Sequence, residues 1–251
     1  FSLGNYDNYY GKRTAHSRVD PRLAMLDPEW FRGARVLDVG CNSGFVTVAI
    51  GAHFSPAFVE GVDVDPGLIK KARLYLAQRG SVDADGNAVH RPAQALSRGR
   101  NLDYFPLSCP VNLGPLPIIT LPPPTPSKSD ASNSALPAPP PLFPHNVRFR
   151  CGNWLQEPNP STSALKFDAI LLLSVTKWIH LNWGDEGIRR LFRRCYHTLE
   201  KGGRLILEPQ PLNGYKKRAD MSDEMKRHFT EMKLVPDDFE RVLLEEVGFA
   251  S

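Results

Sequence analysis

The sequence lacks the cysteine patterns that define several classes of protein. It has four cysteines in 251 residues, with no C-x-x-C pair and no nearby histidines at the spacing of a metal site. They are Cys41, Cys109, Cys151 and Cys195. This pattern excludes disulfide-rich frameworks and zinc ribbons, predicts no metal, and is typical of a reduced, intracellular protein.

Long apolar runs and a strong net charge are also missing. The longest apolar run, AILLLSV at 169–175, is far shorter than the roughly 20 residues that cross a bilayer. The amino-terminal stretch FSLGNYDNYYGKR has no apolar core of the kind found in signal peptides. We therefore expect no membrane partner. The 31 basic and 27 acidic residues give a net charge of +4, which permits an anionic partner without requiring one.

Proline is concentrated in one segment. More than half of the 23 prolines lie between positions 98 and 146, with serine and threonine between them. Such a segment cannot hold a helix or a central strand, and it has few large apolar groups to offset its ordering entropy. We predict one domain over 1–251, with its core in 1–80 and 145–251 and a disordered Pro/Ser-rich insertion at 81–144.

Apolar runs alternate with helical patterns on both sides of this insertion. Strands are predicted at ARVLDVG (34–40), FVEGVDVD (58–65), NVRFRCGNW (146–154), FDAILLLSV (167–175) and GRLILEP (203–209), with helices at 45–54, 66–79 and 185–199. Strands that alternate with helices predict an α/β fold with a mainly parallel sheet, right-handed crossovers and helices on both faces.

The helix predicted at 185–199 has two distinct faces. Its core face carries apolar residues at helical spacing, which are Ile188, Leu191, Phe192, Cys195 and Leu199. The opposite face carries Arg189, Arg190, Arg193 and Arg194. Four arginines could follow a phosphate backbone, but we interpret them as a solvated charged face.

The stretch VLDVGCNSG at 36–44 has the form of a strand, a glycine-containing turn and the start of a helix. Gly40 lets the backbone pass close to a ligand, and Gly44 permits tight packing. The turn would direct backbone N–H groups at a polar ligand. Two glycines after a strand are also compatible with a plain tight turn.

The end of the second strand supports a ligand site. Asp63 lies 23 positions after Gly40, where an acidic side chain can accept hydrogen bonds from both hydroxyls of a ribose. Asp65 is the competing candidate, but it precedes Pro66 and fits better as a helix cap. Together, the turn and Asp63 predict a cofactor that contains adenosine.

The form of the turn argues against a dinucleotide, which is one cofactor that contains adenosine. A dinucleotide site requires G-x-G-x-x-G, and D-x-G-C-N-x-G lacks that register. The turn resembles the first motif of class I S-adenosylmethionine methyltransferases. The resemblance implies a Rossmann-like sheet, with adenine contacted after the third strand by Asn153 and Trp154. An acidic residue is common at the position of Asn153, so that residue is a departure.

Three further stretches resemble a narrower family. NYDNYYGKR at 5–13, SVTKWIHLNWGDEG at 174–187 and LEPQP at 207–211 together resemble the RNA methylphosphate capping enzymes, the Bicoid-interacting-protein-three family. The match covers roughly 1–80 and 145–220. The resemblance implies transfer of the methyl of S-adenosylmethionine to the γ-phosphate of a 5′-triphosphate RNA, or to a 5′-monophosphate in a sister branch, with S-adenosylhomocysteine as product.

This resemblance implies site residues, which fall into three groups. A phosphate oxygen is already anionic, so the site would supply cations and orientation rather than a general base. Residues implied to act at the reacting phosphate and methyl are Lys177, Tyr10, Arg13 and His180. Residues implied to bind the cofactor are Tyr10, Arg22, Asp38, Gly40, Cys41, Asn42, Gly44, Asp63, Val64, Asn153, Trp154 and Val175. Residues implied to bind RNA are Tyr9, Arg13, Lys177, Trp178, Trp183, Glu208, Gln210, Lys216 and Lys217.

Each of these side chains also has a structural interpretation. Lys177 could be a surface lysine, and a tryptophan beside a core strand is more often core, Trp178 more so than Trp183. Pro209 and Pro211 could simply stiffen a loop.

The resemblance also extends to partners. It implies a nuclear monomer that binds an RNA with a 5′-triphosphate end, alongside other ribonucleoprotein proteins. The alternative from another class is a scaffold that binds RNA without catalysis. Family members continue past the helix near 237–247 into an antiparallel hairpin, whereas this sequence ends at VGFAS, so we expect the sheet to lack that hairpin.

Overall fold

Five parallel strands form the centre of the molecule. A computed structural model describes residues 20–80, 141–158 and 166–250. The strands are β1 (Arg35–Val39), β2 (Phe58–Asp63), β3 (Val147–Cys151), β4 (Phe167–Leu173) and β5 (Leu199–Glu208). They form one sheet in the order β3-β2-β1-β4-β5, and every neighbouring pair is parallel. The predicted Rossmann-like α/β sheet is confirmed.

Helices cover both faces of this sheet. They are α1 (Phe45–His53), α2 (Pro66–Arg79), α3 (Thr176–Thr198), α4 (Asn213–Ala219), α5 (Asp223–Glu231) and α6 (Phe239–Arg241), which continues into a π-helical turn at Val242–Val247. Because side chains alternate along a strand, Val36 packs with α1 whereas Leu37 and Val39 pack with α3 and the carboxyl-terminal helices.

Helix α3 differs from the prediction at its amino end. It begins at Thr176 rather than near Asp185, so the residues between the predicted strand at 167–175 and the predicted helix at 185–199 are mostly helical. Gly184 interrupts it with non-helical angles, φ 61 and ψ −165, because only glycine adopts this conformation readily. The residues around Gly184 therefore look like a loop in the sequence although helix lies on both sides. GDEG therefore lies at a kink, where a helical segment that was not predicted meets the helix predicted from Asp185.

The core face of α3 is confirmed, but the arginine face is only partly solvated. Ile188, Leu191, Phe192 and Cys195 are fully buried. Arg194 was predicted to be exposed and is instead buried, with its guanidinium 4.6 Å from the centroid of the Trp154 ring. The prediction for Arg194 was wrong because it lies at the border of the apolar face, where a long side chain can cover a neighbouring aromatic ring.

The two described ends of the predicted insertion lie side by side. A Cβ on Gly80, at the end of α2, would meet the Pro144 ring at 2.8 Å, and Phe143 packs beside α2. The chain thus leaves and re-enters the core at one place. Most of the predicted insertion lies outside the described residues, and its predicted disorder stays a prediction.

The carboxyl-terminal part of the described chain is helical. Between 209 and 250 no strand is present, so the described sheet ends at β5. Of the helices in the described ranges, none is long and apolar enough to span a bilayer.

Candidate functional site

A cleft opens at the carboxyl ends of the strands, the edge where parallel sheets hold their ligands. It is lined by the ends of β1 and β2, the loop after β3 and the start of α3. Eight predicted site residues line it, namely Gly40, Asp63, Val64, Asn153, Trp154, Val175, Trp178 and Trp183. Sequence reasoning did not identify Val39, Val62, Gly152, Leu155, Ile179 or Leu191, whose apolar or small character is no different from that of core residues.

The glycine turn is shaped by close contacts as well as by backbone angles. Gly40 has φ +77, and a Cβ there would lie 2.8 Å from a methyl of Val175. Gly44 has φ +79, and a Cβ there would lie 2.6 Å from the Phe149 ring. Both positions therefore require glycine on two counts, because the turn lies close to Val175, after β4, at its start and to Phe149 of β3 at its end.

Asp63 connects the turn to the second strand. Its carboxylate accepts hydrogen bonds from the backbone N–H of Asn42 at 2.9 Å and of Asp65 at 3.0 Å. Burial raises the pKa of Asp63, while these N–H donors oppose the rise. The side chain of Asp65 instead caps α2 by accepting from Gly67 and Leu68. The predicted cap at Asp65 is confirmed, and Asp63 lines the cleft, while its predicted contact with a ribose stays a prediction.

The other predicted residues of the turn lie behind the cleft. Asp38 is buried and accepts a 2.6 Å hydrogen bond from the Thr47 hydroxyl. Burial raises its pKa to about 6, although Thr47 and the charge of Arg22 oppose this. The Cys41 side chain packs in the core, and burial raises the pKa of its thiol. Asp38 and Cys41 therefore support the turn from below and do not line the cleft.

Arg22 is held by carboxylates of the protein itself. It binds Asp20 through two nitrogens, at 2.9 and 2.7 Å, and its third nitrogen donates to Glu208 at 3.0 Å. Glu208 also accepts from the Ser174 hydroxyl at 2.6 Å. Arg22 thus ties the segment before β1 to the ends of β4 and β5. In this arrangement its side chain contacts these acids, whereas a contact with the cofactor was predicted.

Lys177 presents a cation next to the cleft. Its ammonium lies 5.0 Å from the centroid of the Trp178 ring, and that ring lines the cleft. Burial lowers the pKa of Lys177, and the charge of Arg218 lowers it further. A half-buried ammonium beside a second cation is suited to an anion with more than one negative charge.

His180 lies away from this cation, in the interior. Its side chain is 0% exposed, and its Nε2 lies 2.9 Å from a carboxylate oxygen of Asp185. The Tyr215 ring packs against it edge-on. Burial lowers the pKa of His180, and Asp185 opposes this. The structure does not bring His180 to the cleft, because helical geometry directs it to the core while Lys177 faces out.

The three tryptophans near the cleft differ in burial. Trp154 and Trp178 are buried. Trp183, which belongs to α3, is half-buried and packs against the main hydrophobic core. Trp178 belongs to a small cluster with Tyr215 and Met225, as its predicted core character suggests. All three rings also line the cleft, so packing and ligand contact are compatible here.

The predicted RNA contacts after β5 lie in different settings. Gln210 bonds to the start of α3, while Lys216 and Lys217 are exposed on α4. The basic residue of α4 that influences Lys177 is Arg218, which was not among the predicted site residues. Tyr9, Tyr10 and Arg13 lie outside the described residues. Within the described ranges, no His, Cys, Asp or Glu group could hold a metal.

Comparison with known proteins places this chain in a family. The family model of Bicoid-interacting protein 3 matches residues 167–251. A probable RNA methyltransferase of Arabidopsis thaliana is 34% identical over 99% of this chain and 73% of its own length. The chain belongs to the Bicoid-interacting protein 3 family. The U6 snRNA methylphosphate capping enzyme Amus of Drosophila melanogaster is 34% identical over 100% of this chain and 67% of its own length.

Another relative is much longer than this chain. The 7SK snRNA methylphosphate capping enzyme of Mus musculus is 37% identical over 100% of the chain, but the chain spans only 37% of that protein. Among solved structures, magnesium protoporphyrin IX methyltransferase of Synechocystis is 15% identical with a TM-score of 0.47, covering 96% of this chain and 74% of that one. Structural likeness this low adds nothing about the site.

Proposed function

We propose that this protein transfers the methyl group of S-adenosylmethionine to a phosphate oxygen at the 5′ end of RNA, and that the γ-phosphate of a 5′-triphosphate is the preferred acceptor. The observation that carries the proposal is the position of Lys177. Its ammonium lies over Trp178, whose ring lines the cleft, so an anion held by Lys177 would lie next to a ligand in the cleft.

The cleft fits S-adenosylmethionine in its chemistry. Asp63 offers carboxylate oxygens to a ribose, and Trp154, Leu155 and Ile179 offer apolar contact area to an adenine ring. When bound, the cofactor supplies a sulfonium methyl group open to nucleophilic attack. Gly40 and Val175 form the adjoining wall, where the backbone of the turn can approach the ligand closely.

The residues around the acceptor would act by orientation and charge. A phosphate oxygen attacks without losing a proton, so Lys177 need not act as a base. Its charge, with that of Arg218 nearby, would hold the phosphate and offset its repulsion from Asp63. Lys216 and Lys217, exposed on α4, would contact the RNA backbone, and Trp183 would pack on a base or ribose. Tyr9, Tyr10 and Arg13 are proposed to complete the site.

The preference for triphosphate is supported by the relatives. Proteins named as snRNA methylphosphate capping enzymes are 34 to 37% identical to this chain. The pre-miRNA 5′-monophosphate methyltransferase of Xenopus laevis is 25% identical. We further propose that the protein acts in the nucleus, because the capping relatives are named for small nuclear RNAs. That it acts as a monomer within a ribonucleoprotein is proposed from the family resemblance alone.

A transfer assay tests the proposed function. The protein is incubated with radiolabelled S-adenosylmethionine and one RNA sequence carrying a 5′-triphosphate, 5′-monophosphate or 5′-hydroxyl end. We expect label on the triphosphate RNA at the highest rate. Faster labelling of the monophosphate RNA would favour the sister activity. Binding of the triphosphate RNA without labelling of any of them would favour a scaffold and contradict the proposal.

A further inference from the structure

The side chain of Gln210 spans from the loop after β5 to the start of α3. Its amide oxygen accepts hydrogen bonds from the backbone N–H of Lys177 at 3.1 Å and from the Thr176 hydroxyl at 3.3 Å. Its amide nitrogen donates to the backbone carbonyl of Ser174. One side chain therefore forms hydrogen bonds with three residues of the segment that carries Lys177, namely Ser174, Thr176 and Lys177 itself.

The start of α3 needs this support because it has no cap of its own. The N-cap residue is Val175, whose side chain cannot accept a hydrogen bond from the exposed N–H groups of the first turn. Ser174, just before it, has φ 59, a conformation that non-glycine residues adopt at a cost. The oxygen of Gln210 satisfies an N–H group that a local Ser, Thr or Asp would normally satisfy.

Glu208, two residues before Gln210, also connects β5 to the segment that precedes α3. Its backbone carbonyl accepts from the N–H of Ser174 at 3.2 Å, and its carboxylate accepts from the Ser174 hydroxyl at 2.6 Å. The motif LEPQP thus fixes the backbone of the segment 174–177 through side chains of both Glu208 and Gln210. Pro209 separates the two and restricts the backbone between them.

We propose that Gln210 is a positioning residue for Lys177 and does not itself bind RNA. This inference rests on the proposed function, in which Lys177 holds the acceptor phosphate. The direction of the Lys177 side chain follows from its backbone, and Gln210 fixes that backbone. Without the amide, the first turn of α3 loses an N–H acceptor and can fray, so the ammonium moves away from the Trp178 ring.

A double-mutant cycle separates positioning from direct binding. The variants are Gln210→Ala, Lys177→Ala and the double variant, with Gln78→Ala on α2 as the matched control. For each, kcat is measured together with the Kd ratio between 5′-hydroxyl and 5′-triphosphate RNA. We expect Gln210→Ala to lower kcat by about 10- to 100-fold, and the double variant to be no worse than Lys177→Ala. Additive losses would overturn the proposal and make Gln210 a direct ligand.

A second readout does not depend on activity. Hydrogen exchange of the Lys177 amide, measured without RNA or cofactor, should be faster in Gln210→Ala and unchanged in Gln78→Ala. Gln210→Met fills the same space without polar groups and should show the same faster exchange if Gln210→Ala folds poorly. Unchanged exchange in both Gln210 variants would overturn the positioning role.

The outcome for the unaltered protein distinguishes the two proposals. If it binds triphosphate and hydroxyl RNA equally and labels neither, the proposed function fails, and the role of Gln210 in it fails too. If it labels the triphosphate RNA faster than the other RNAs but the losses in the cycle are additive, the proposed function stands and only the role of Gln210 is overturned.

Discussion

The carboxylate of Asp63 accepts a 2.9 Å hydrogen bond from the backbone N–H of Asn42, and this bond joins the end of β2 to the glycine turn after β1. Asn42 has φ 52, a left-handed conformation that an N–H partner helps to hold. The same carboxylate lines the cleft. One residue thus shapes the turn and faces the position proposed for the cofactor ribose.

Replacing Asp63 should weaken cofactor binding more than it weakens the fold. In Asp63→Ala we expect the Kd for S-adenosylhomocysteine, measured by titration calorimetry, to rise at least about tenfold, because charge-assisted hydrogen bonds to the ribose are lost. Asp65→Ala is the matched control. It removes the cap of α2 and should cost about 1 kcal/mol of stability with little change in this Kd. Equal loss of affinity in both variants would contradict the roles assigned here.

Replacing Lys177 should slow methyl transfer and leave the affinity for the cofactor nearly unchanged. For Lys177→Ala we expect kcat with triphosphate RNA to fall by about 100-fold or more, because the phosphate loses its nearest cation. The Kd for S-adenosylhomocysteine should change less than about threefold. Lys201→Ala, at an exposed position early in β5, serves as the charge control. A cofactor affinity as weak as that of Asp63→Ala would show that Lys177 belongs to the cofactor site.

Asp38 should make stability depend on pH in a defined window. Its pKa in the folded protein is about 6, above the ordinary 3.8, so the folded state binds more protons between these values. Stability contributed by this group is therefore present below pH 3.8 and is lost as the pH rises towards 6, by about 3 kcal/mol in total. Urea unfolding of Asp38→Asn should lack this decline. A difference between variant and wild type that is constant from pH 4 to 6 would contradict the assignment.

Gly44 and Gly202 form a matched pair for testing the packing of the glycine turn. Their φ angles are +79 and +81, but a Cβ on Gly44 would lie 2.6 Å from the Phe149 ring, whereas one on Gly202 would have nothing within 4 Å. Gly202→Ala should cost about 1 to 2 kcal/mol from backbone strain alone. Gly44→Ala should cost about 1 to 3 kcal/mol more from overpacking, measured by thermal unfolding. Equal costs would mean that the turn does not pack as described.

Replacing His180 tests whether this residue stabilises the core or contacts the acceptor phosphate. His180→Ala removes a fully buried ring that bonds to Asp185, so we expect a loss of about 3 kcal/mol in stability. Because burial lowers the pKa of His180, wild-type stability contributed by this group is present above pH 6.5 and is lost as the pH falls below it. An unchanged stability in denaturant, with transfer abolished, would instead support the phosphate contact predicted from sequence.

The strands were predictable from sequence because each is a short apolar run that ends in glycine or a polar residue. The cap formed by Asp65 was also predictable, because the residue directly precedes Pro66. The spacing of Asp63 from the turn correctly predicted a position at the ligand-binding edge of the sheet, while its contact with a ribose stays a prediction. The start of α3 was not readable, because its N–H acceptor is Gln210, 33 positions away in the chain. Local sequence carries no signal of a cap supplied from a distant loop.

The positions of individual site residues were harder to predict than the motif that contains them. Lys177 and His180 share one motif, but α3 directs one towards the cleft rim and the other into the core. The sequence pattern predicted no helix between 175 and 185, so it assigned no helical face that could distinguish the two side chains. Arg22 is similar: its charge was apparent in the sequence, but its pairing with Glu208 depends on contact between segments 186 residues apart.

The most direct test of the central claim is the location of the transferred methyl group. RNA with a 5′-triphosphate is labelled with radioactive S-adenosylmethionine and digested to nucleotides, and the fragments are separated. If the methyl group is transferred to the 5′ phosphate, all label remains with the 5′-terminal nucleotide and is released when its phosphates are removed. Label on internal nucleotides, or label that stays on the terminal base or ribose after the phosphates are removed, would contradict it.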